Sequence, residues 1–315
     1  VFFRPAYREW WKRGARVPRL ALEAAAAILE RPNPFRALSR FAGAIPTALF
    51  DNEPIRRALA EAFARDGRVD DFRQLGGRLI VVATDLGAGQ PIRFGSPGLD
   101  DVPISQAVQA STALPGLYPP VEINGRFYVD GALRRTLHAS VALDEGVDLM
   151  IGVNPLVPFD ASAKHLNRQV PMHKLISGGL PLIMSQTFRA LIQSRMEAGF
   201  KKYYRSHPIA DLVLLEPDRG DEEIFFTNIF SYADRQALCE HAYQATRMDL
   251  YARRAELEPI LASRGMSLRL DLLQDTNRNL KKSIGVGHAS HAPVMRDLCH
   301  VLDELDNLVD DSQSK

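Results

Sequence analysis

A chain of 315 residues, 46% hydrophobic and 24% charged, carries enough apolar material for a sizeable core, which excludes a disordered or fibrous protein. Its 39 basic and 38 acidic residues leave a formal charge of +1, so no global field draws it to nucleic acid. Two cysteines, Cys239 and Cys299, each alone in helix-like sequence, exclude a disulfide framework and paired metal spacing, and point to a reducing compartment.

Residues 2–30 interleave aromatics with arginines before an Ala-rich run at 21–29, a pattern that predicts helix interrupted at Pro5 and Pro18. The basic start, with Trp10, Trp11, Lys12 and Arg13, suits either an anionic membrane surface or a helix packed beside the domain, and both readings stay open. As a nucleic-acid footprint, six cations on one short segment without a binding module are too few. Asp51-Asn52-Glu53-Pro54 places a capping side chain just before a first-turn proline. Ile55, Leu59 and Phe63 then follow four residues apart, predicting an amphipathic helix that ends near Gly67.

The apolar, β-branched run at 79–83 predicts a strand inside a sheet. A helix should start at Pro103, with Ile104, Ala107, Val108 and Ser111 on one stripe, and break at Pro115-Gly116. Residues 121–129 read as two strands joined by Asn124-Gly125, a pair suited to a type I′ turn because both residues tolerate positive φ. The second strand carries Asp130 to its end. A crossover helix at 138–145 and a buried strand at 147–153 follow, and this rhythm of strand, helix and strand argues for a layered α/β domain with a largely parallel sheet.

Leu180, Ile183, Met184, Thr187, Phe188, Leu191 and Ile192 share one helical stripe, predicting a long helix against that sheet. A strand at 211–217, a helix opened by a capping-box variant at Ser231 and Asp234 and running toward Arg253, a polar linker at 277–291 and a terminal amphipathic helix over 294–308 complete the chain. The expected division is a main domain over 1–265 and a linker with terminal helix over 266–315. No apolar run reaches the roughly 20 residues that span a bilayer. The expected location is cytoplasmic, with peripheral membrane contact through the N-terminal aromatics as the alternative.

Residues 108–120, Val-Gln-Ala-Ser-Thr-Ala-Leu-Pro-Gly-Leu-Tyr-Pro-Pro, followed by the hairpin and by Phe127-Tyr128-Val129-Asp130-Gly131-Ala132, resemble the second half of a patatin-like lipid acyl hydrolase. The resemblance covers residues 79–155 well, with Ala83-Thr84-Asp85-Leu86 upstream, and continues more weakly through Glu216-Pro217-Asp218 and 225–247. It implies a three-layer α/β core, incomplete at its N-terminal side, and hydrolysis of a lipid or acyl ester by a Ser-Asp dyad without cofactor. It assigns Asp130 as the general base within an Asp-Gly-Ala motif of Asp130, Gly131 and Ala132. Physical chemistry sets a condition on that role. A carboxylate has an ordinary pKa of about 3.9, so it serves as a base to a serine only where desolvation or neighbours raise that value.

The family's nucleophile sits in Gly-x-Ser-x-Gly, a sharp strand-to-helix elbow, and these 315 residues contain no such pentapeptide. Gly95-Ser96-Pro97-Gly98 lacks the Gly two before the Ser and reads as a loop. The chain opens on Val1, so the sequence is expected to begin downstream of the nucleophile and to be inactive alone. The rival reading, with Val1 as a true start, is a non-catalytic lipid-binding or scaffold protein on the same fold.

Other candidates read as structural. Asp85 reads as a turn former after a strand. Ser111 lies in a helix without an elbow and should pack near the active site. None of the eight histidines falls in a diagnostic motif; His138 belongs to the crossover helix, and His165 and His173 to a polar loop without zinc-ligand spacing, so no metal is expected. Gly76-Gly77 and Gly178-Gly179 lack the pattern of a phosphate cradle and read as turns.

Overall fold

Short connections decide the direction of the largest sheet. The computed structural model describes residues 4–15, 17–19, 46–65, 67–133, 137–160, 176–226 and 234–284. By its internal contacts the chain divides into two compact units, residues 1–138 with 195–199, and residues 139–194 with 200–315. The first unit runs through β1 (Arg4–Pro5), α1 (Tyr7–Gly14), β2 (Phe50–Asp51), α2 (Glu53–Phe63), β3 (Val81–Asp85), β4 (Gln90–Phe94), α3 (Ile104–Ser111), β5 (Val121–Ile123) and β6 (Arg126–Asp130).

Four of these strands form one sheet in the order β4-β3-β6-β5, antiparallel at every pairing. The turn between β3 and β4 is four residues long, 86–89, and that between β5 and β6 is Asn124-Gly125. Neither is long enough for the crossover of a dozen or more residues that parallel neighbours require. The expectation of a largely parallel sheet is therefore corrected, although the α/β class holds. Asn124 and Gly125 both take positive φ, 50° and 75°, the backbone of the expected hairpin turn. β4 escaped the sequence reading because Pro91 interrupts it. As an edge strand, β4 accommodates the missing N–H.

The core of this unit lies where α3 covers β3 and β6. Ala83, Ala107, Ala110 and Ala113 are fully buried, and their small side chains let the helix lie close to the sheet. Ile55 from α2 is buried in the same cluster, with Leu59 and Phe63 against it, as the four-residue spacing predicts. Phe94 and Tyr128 meet edge to face at 5.3 Å. Asp70 caps α3, its carboxylate accepting from the Ser105 N–H and hydroxyl, both at 2.6 Å. At the head of α2, the Asp51 side chain accepts from the Glu53 N–H at 3.0 Å, so the capping group is Asp51.

The second unit contains α4 (Ala139–Leu143), β7 (Leu149–Val153), α5 (Gly179–Ser206), β8 (Asp211–Leu215), α6 (Glu222–Phe226), α7 (Arg235–Ala252), α8 (Arg254–Ala262), α9 (Leu270–Gln274) and α10 (Leu280–Ile284). Among the described residues, β7 and β8 make the one parallel pairing between named strands, in register from Leu149↔Asp211 to Val153↔Leu215. α4 joins no parallel neighbours, because β6 and β7 belong to different sheets.

α5 has the expected helical backbone, but its predicted buried stripe is not realised. Ile183, Met184 and Leu191 are exposed, whereas Ile192 and Tyr203 are buried, Tyr203 packing with Ala139 and Leu143. Apolar residues occur on more than one side of this helix, so periodicity alone did not identify the covered face. The described part of the expected linker, residues 277–284, is a turn leading into α10. The Ala-rich run at 21–29, His165, His173, Ser231, residues 285–291, Cys299 and the terminal helix over 294–308 lie outside the described residues.

Candidate active site

Asp130 is the last residue of β6, paired across the sheet with Ala83 of β3. Three hydrogen bonds fix its place. Its N–H donates to the Ala113 carbonyl at 3.1 Å, just past the end of α3. Its own carbonyl accepts from the Thr84 hydroxyl at 3.1 Å, and its Oδ1 accepts from the Ala132 N–H at 2.7 Å. The last bond locks the side chain against its own turn. Oδ2 has no hydrogen-bond partner among the described residues. The carboxyl is half-buried, and burial pushes its pKa above the ordinary 3.8, an effect the Ala132 N–H partly opposes.

Gly131 follows because nothing larger fits. A Cβ at this position would collide with the Val82 carbonyl oxygen and would lie 3.5 Å from the ring Cε1 of His138. The same Val82 oxygen accepts from the Ser111 hydroxyl at 2.8 Å. Ser111 thus packs beside the motif with its proton committed to a backbone carbonyl. Downstream, Leu137 and His138 both hold positive φ, 63° and 42°, left-handed values uncommon for residues with a Cβ. The chain after the motif bends sharply.

Asp85 occupies a different place. It pairs with Tyr128, two residues from Asp130 along β6, and is 4% exposed. Its Oδ1 accepts from the Gly87 and Ala88 N–H groups, both at 2.9 Å, and its Oδ2 faces Arg126 at 3.2 Å. The Ala88 N–H above all, helped by Arg126 and the Gly87 N–H, holds its carboxyl below the ordinary range. These are the contacts of a turn former. A cavity of about 490 Å³ opens beside this turn, lined by Leu86, Arg126 and Phe127 among others. Arg126 is four residues before Asp130, about 13 Å along the strand at ~3.3 Å per residue, so this cavity does not surround the carboxyl.

The structure brings together two clusters that the sequence did not reveal. His241 lies between two carboxylates, with Nε2 2.6 Å from Asp221 and Nδ1 3.0 Å from Glu223. The Ser206 hydroxyl is 2.8 Å from Nδ1 of His207, whose Nε2 is 3.7 Å from Asp144. The second cluster has the residue types of a hydrolytic triad without its geometry. Ser206 ends α5, where backbone carbonyls rather than N–H groups point outward and would oppose a developing oxyanion. The carboxylate contact is also beyond hydrogen-bond length. No spacing signal announces either cluster, since Asp144 reaches His207, and His241 reaches Asp221 and Glu223, only through tertiary packing.

Among the described residues no group of three or more His, Cys, Asp or Glu is arranged to hold a metal ion. No helix among them is long and apolar enough to cross a membrane. Residues 10–143 match the family model described as Patatin-like phospholipase. That span covers less than half the chain, yet it holds the whole four-stranded sheet, α3 and the Asp130–Gly131 turn. By this stretch the chain is similar to the patatin-like phospholipase family.

Proposed function

We propose that the chain carries the general base of a lipid acyl hydrolase, with Asp130 as the carboxylate of a Ser-Asp dyad and Asp130, Gly131 and Ala132 as its motif. The observation that carries this reading is the state of one side chain. Oδ1 is anchored by the Ala132 N–H, Oδ2 has no partner among the described residues, and burial raises the carboxyl's proton affinity. A base needs this combination, in which one oxygen sets orientation and the other accepts a proton near the operating pH.

In the proposed reaction a serine hydroxyl attacks the ester carbonyl of a lipid while Oδ2 accepts its proton. The tetrahedral intermediate collapses, the alcohol leaves with the proton that Asp130 returns, and an acyl-enzyme remains. Water then attacks the acyl carbon, Asp130 again takes and returns the proton, and the fatty acid is released with the serine restored. The serine of such a dyad would sit in a Gly-x-Ser-x-Gly elbow, a pentapeptide that these 315 residues do not contain. In this reading residues 1–265 form the acyl hydrolase domain and 266–315 an extension.

The test uses the complete open reading frame, with activity followed on a chromogenic acyl ester. Asp130→Asn should lower kcat by about a thousandfold, in the range found when a member of such a catalytic unit is removed. The 315-residue chain alone should show no turnover. A near wild-type rate for Asp130→Asn would end the assignment.

A further inference from the structure

The second unit holds a cavity of about 310 Å³ between α7, the loop over 265–269, α9 and the turn before α10. Its walls are of two kinds. Leu250, Leu268, Leu272 and Leu273 supply an apolar surface, while Arg247, Arg269 and Arg278 bring three guanidinium groups to the same space. Among the described residues no acidic side chain lines it.

The three arginines differ in what holds them. Arg269 is paired with Asp271 through two bonds, 2.9 and 2.7 Å, at the outer edge. Arg247, only 7% exposed, donates from its terminal nitrogens to the carbonyls of Leu272, Leu273, Asp275 and Arg278 and to the Gln244 side chain. Among the described residues its Nε–H has no acceptor, and its charge is met by those dipoles and by the Tyr243 ring, whose centre is 5.6 Å from the guanidinium carbon. Arg278 donates through Nε to the Tyr243 hydroxyl at 3.2 Å, and among the described residues its two terminal nitrogens have no hydrogen-bond partner.

Two guanidinium groups without a counter-ion among the described residues, beside four leucines, form an uncommon surface. Buried or half-buried cations are ordinarily paired, because an unmatched charge in an apolar wall is costly. The planar guanidinium matches the two oxygens of a carboxylate or phosphate, and the leucines match an aliphatic chain. A volume of this size has room for about ten groups as large as a water molecule, at ~30 Å³ each.

We propose that this cavity binds a single-chain anionic amphiphile, a fatty carboxylate or alkyl phosphate of about ten carbons, with its head on Arg278 and its chain on the leucines. The site goes beyond the hydrolase reading, and binding is measured with no ester turned over. Failure here would leave the Asp130 assignment where it stands.

Titration calorimetry of the protein with decanoate, decyl phosphate, decanol and decyltrimethylammonium, each below its micelle concentration, tests the idea. One equivalent of decanoate or decyl phosphate should bind, decanol at least tenfold more weakly, and the cation not at all. Whichever anion binds more tightly identifies the head group. Arg278→Gln should weaken the anions at least tenfold and leave decanol unchanged. Ser267→Trp, at an exposed position on the wall, should block every ligand without relying on the stability of the arginine variant. Equal affinity for decanol and decanoate, or unaltered anion binding in the Ser267→Trp variant, would overturn the proposal.

Discussion

Gly131 lies directly against the carbonyl oxygen of Val82, at the point where β6 turns away from β3. The contact joins the candidate base to the central strand of the sheet. The geometry leaves no volume for a side chain, and the obstacle is backbone on a strand paired on both sides, which cannot swing aside.

Gly131→Ala should therefore strain the end of β6. Overpacking against a fixed backbone costs about 1–3 kcal/mol, and the displacement falls on the residue next to Asp130. Denaturant unfolding should show the loss, which outweighs the ~0.4–1 kcal/mol gained from the reduced flexibility of the unfolded chain. If Asp130 is the base of an ester hydrolase, that activity should fall by more than the loss of folded protein accounts for. Stability equal to wild type would show that β3 and β6 can part without cost.

Asp130 should also make stability depend on pH, with a definite sign. Its folded pKa is raised by burial above the ordinary 3.8, so between those values the folded state holds more protons than the unfolded one. Stability then falls as pH rises through this window, and the ionised carboxyl disfavours folding at neutral pH. Asp130→Asn keeps an acceptor for the Ala132 N–H and carries no charge. It should be more stable than wild type near pH 7, and the difference should vanish below 3.8. Unfolding curves at several pH values measure it. If Asp130 is the base, the same shift places the acid limb of kcat/KM above the titration of an ordinary aspartate.

Much of the local structure was legible in the sequence because its causes are local. Asn124-Gly125 specifies a hairpin turn whatever surrounds it. Ile55, Leu59 and Phe63 reach the core because their spacing matches a helical face. The direction of the sheet was less visible, since it follows from a four-residue turn before a strand that Pro91 disguises. On α5 the sequence showed apolar residues but not which of them would be covered. For the candidate site, resemblance singled out Asp130, but its Oδ2 without a partner among the described residues, the close contact at Val82 and the cation-lined cavity arise from residues far apart in sequence. No spacing rule contains them.

The two tryptophans of α1 should behave differently. The Trp10 indole donates to the Ala48 carbonyl at 3.1 Å and is 41% exposed, while Trp11 is 83% exposed. Trp10 is thus tied to the protein, whereas Trp11 offers its ring to an interface next to Lys12. If this face meets anionic membranes, Trp11→Ala should weaken sedimentation with phosphatidylserine vesicles by roughly tenfold, the effect of losing about 1.4 kcal/mol of apolar burial. Trp10→Ala should chiefly lower thermal stability. Equal vesicle binding by wild type and the Trp11 variant would assign the helix a packing role.

Arg247 organises the end of the described chain more than any carboxylate does. Four of the carbonyls it binds, those of Leu272, Leu273, Asp275 and Arg278, belong to the end of α9 and the turn after it, where a helix leaves carbonyls without internal partners. The Arg247→Met variant keeps the length and apolar stem but removes every donor. With several half-buried carbonyls left unmatched, the loss should be on the order of 3 kcal/mol, at about 1–3 kcal/mol for each group that water cannot reach. The effect should be regional before it is global. Limited trypsin digestion should cut at Arg269, Arg278, Lys281 and Lys282 faster than in wild type, while sites on α2 and β4 keep their protection. Cleavage at wild-type rates would mean that apolar packing of α9 and α10 on α7 holds this segment without the arginine.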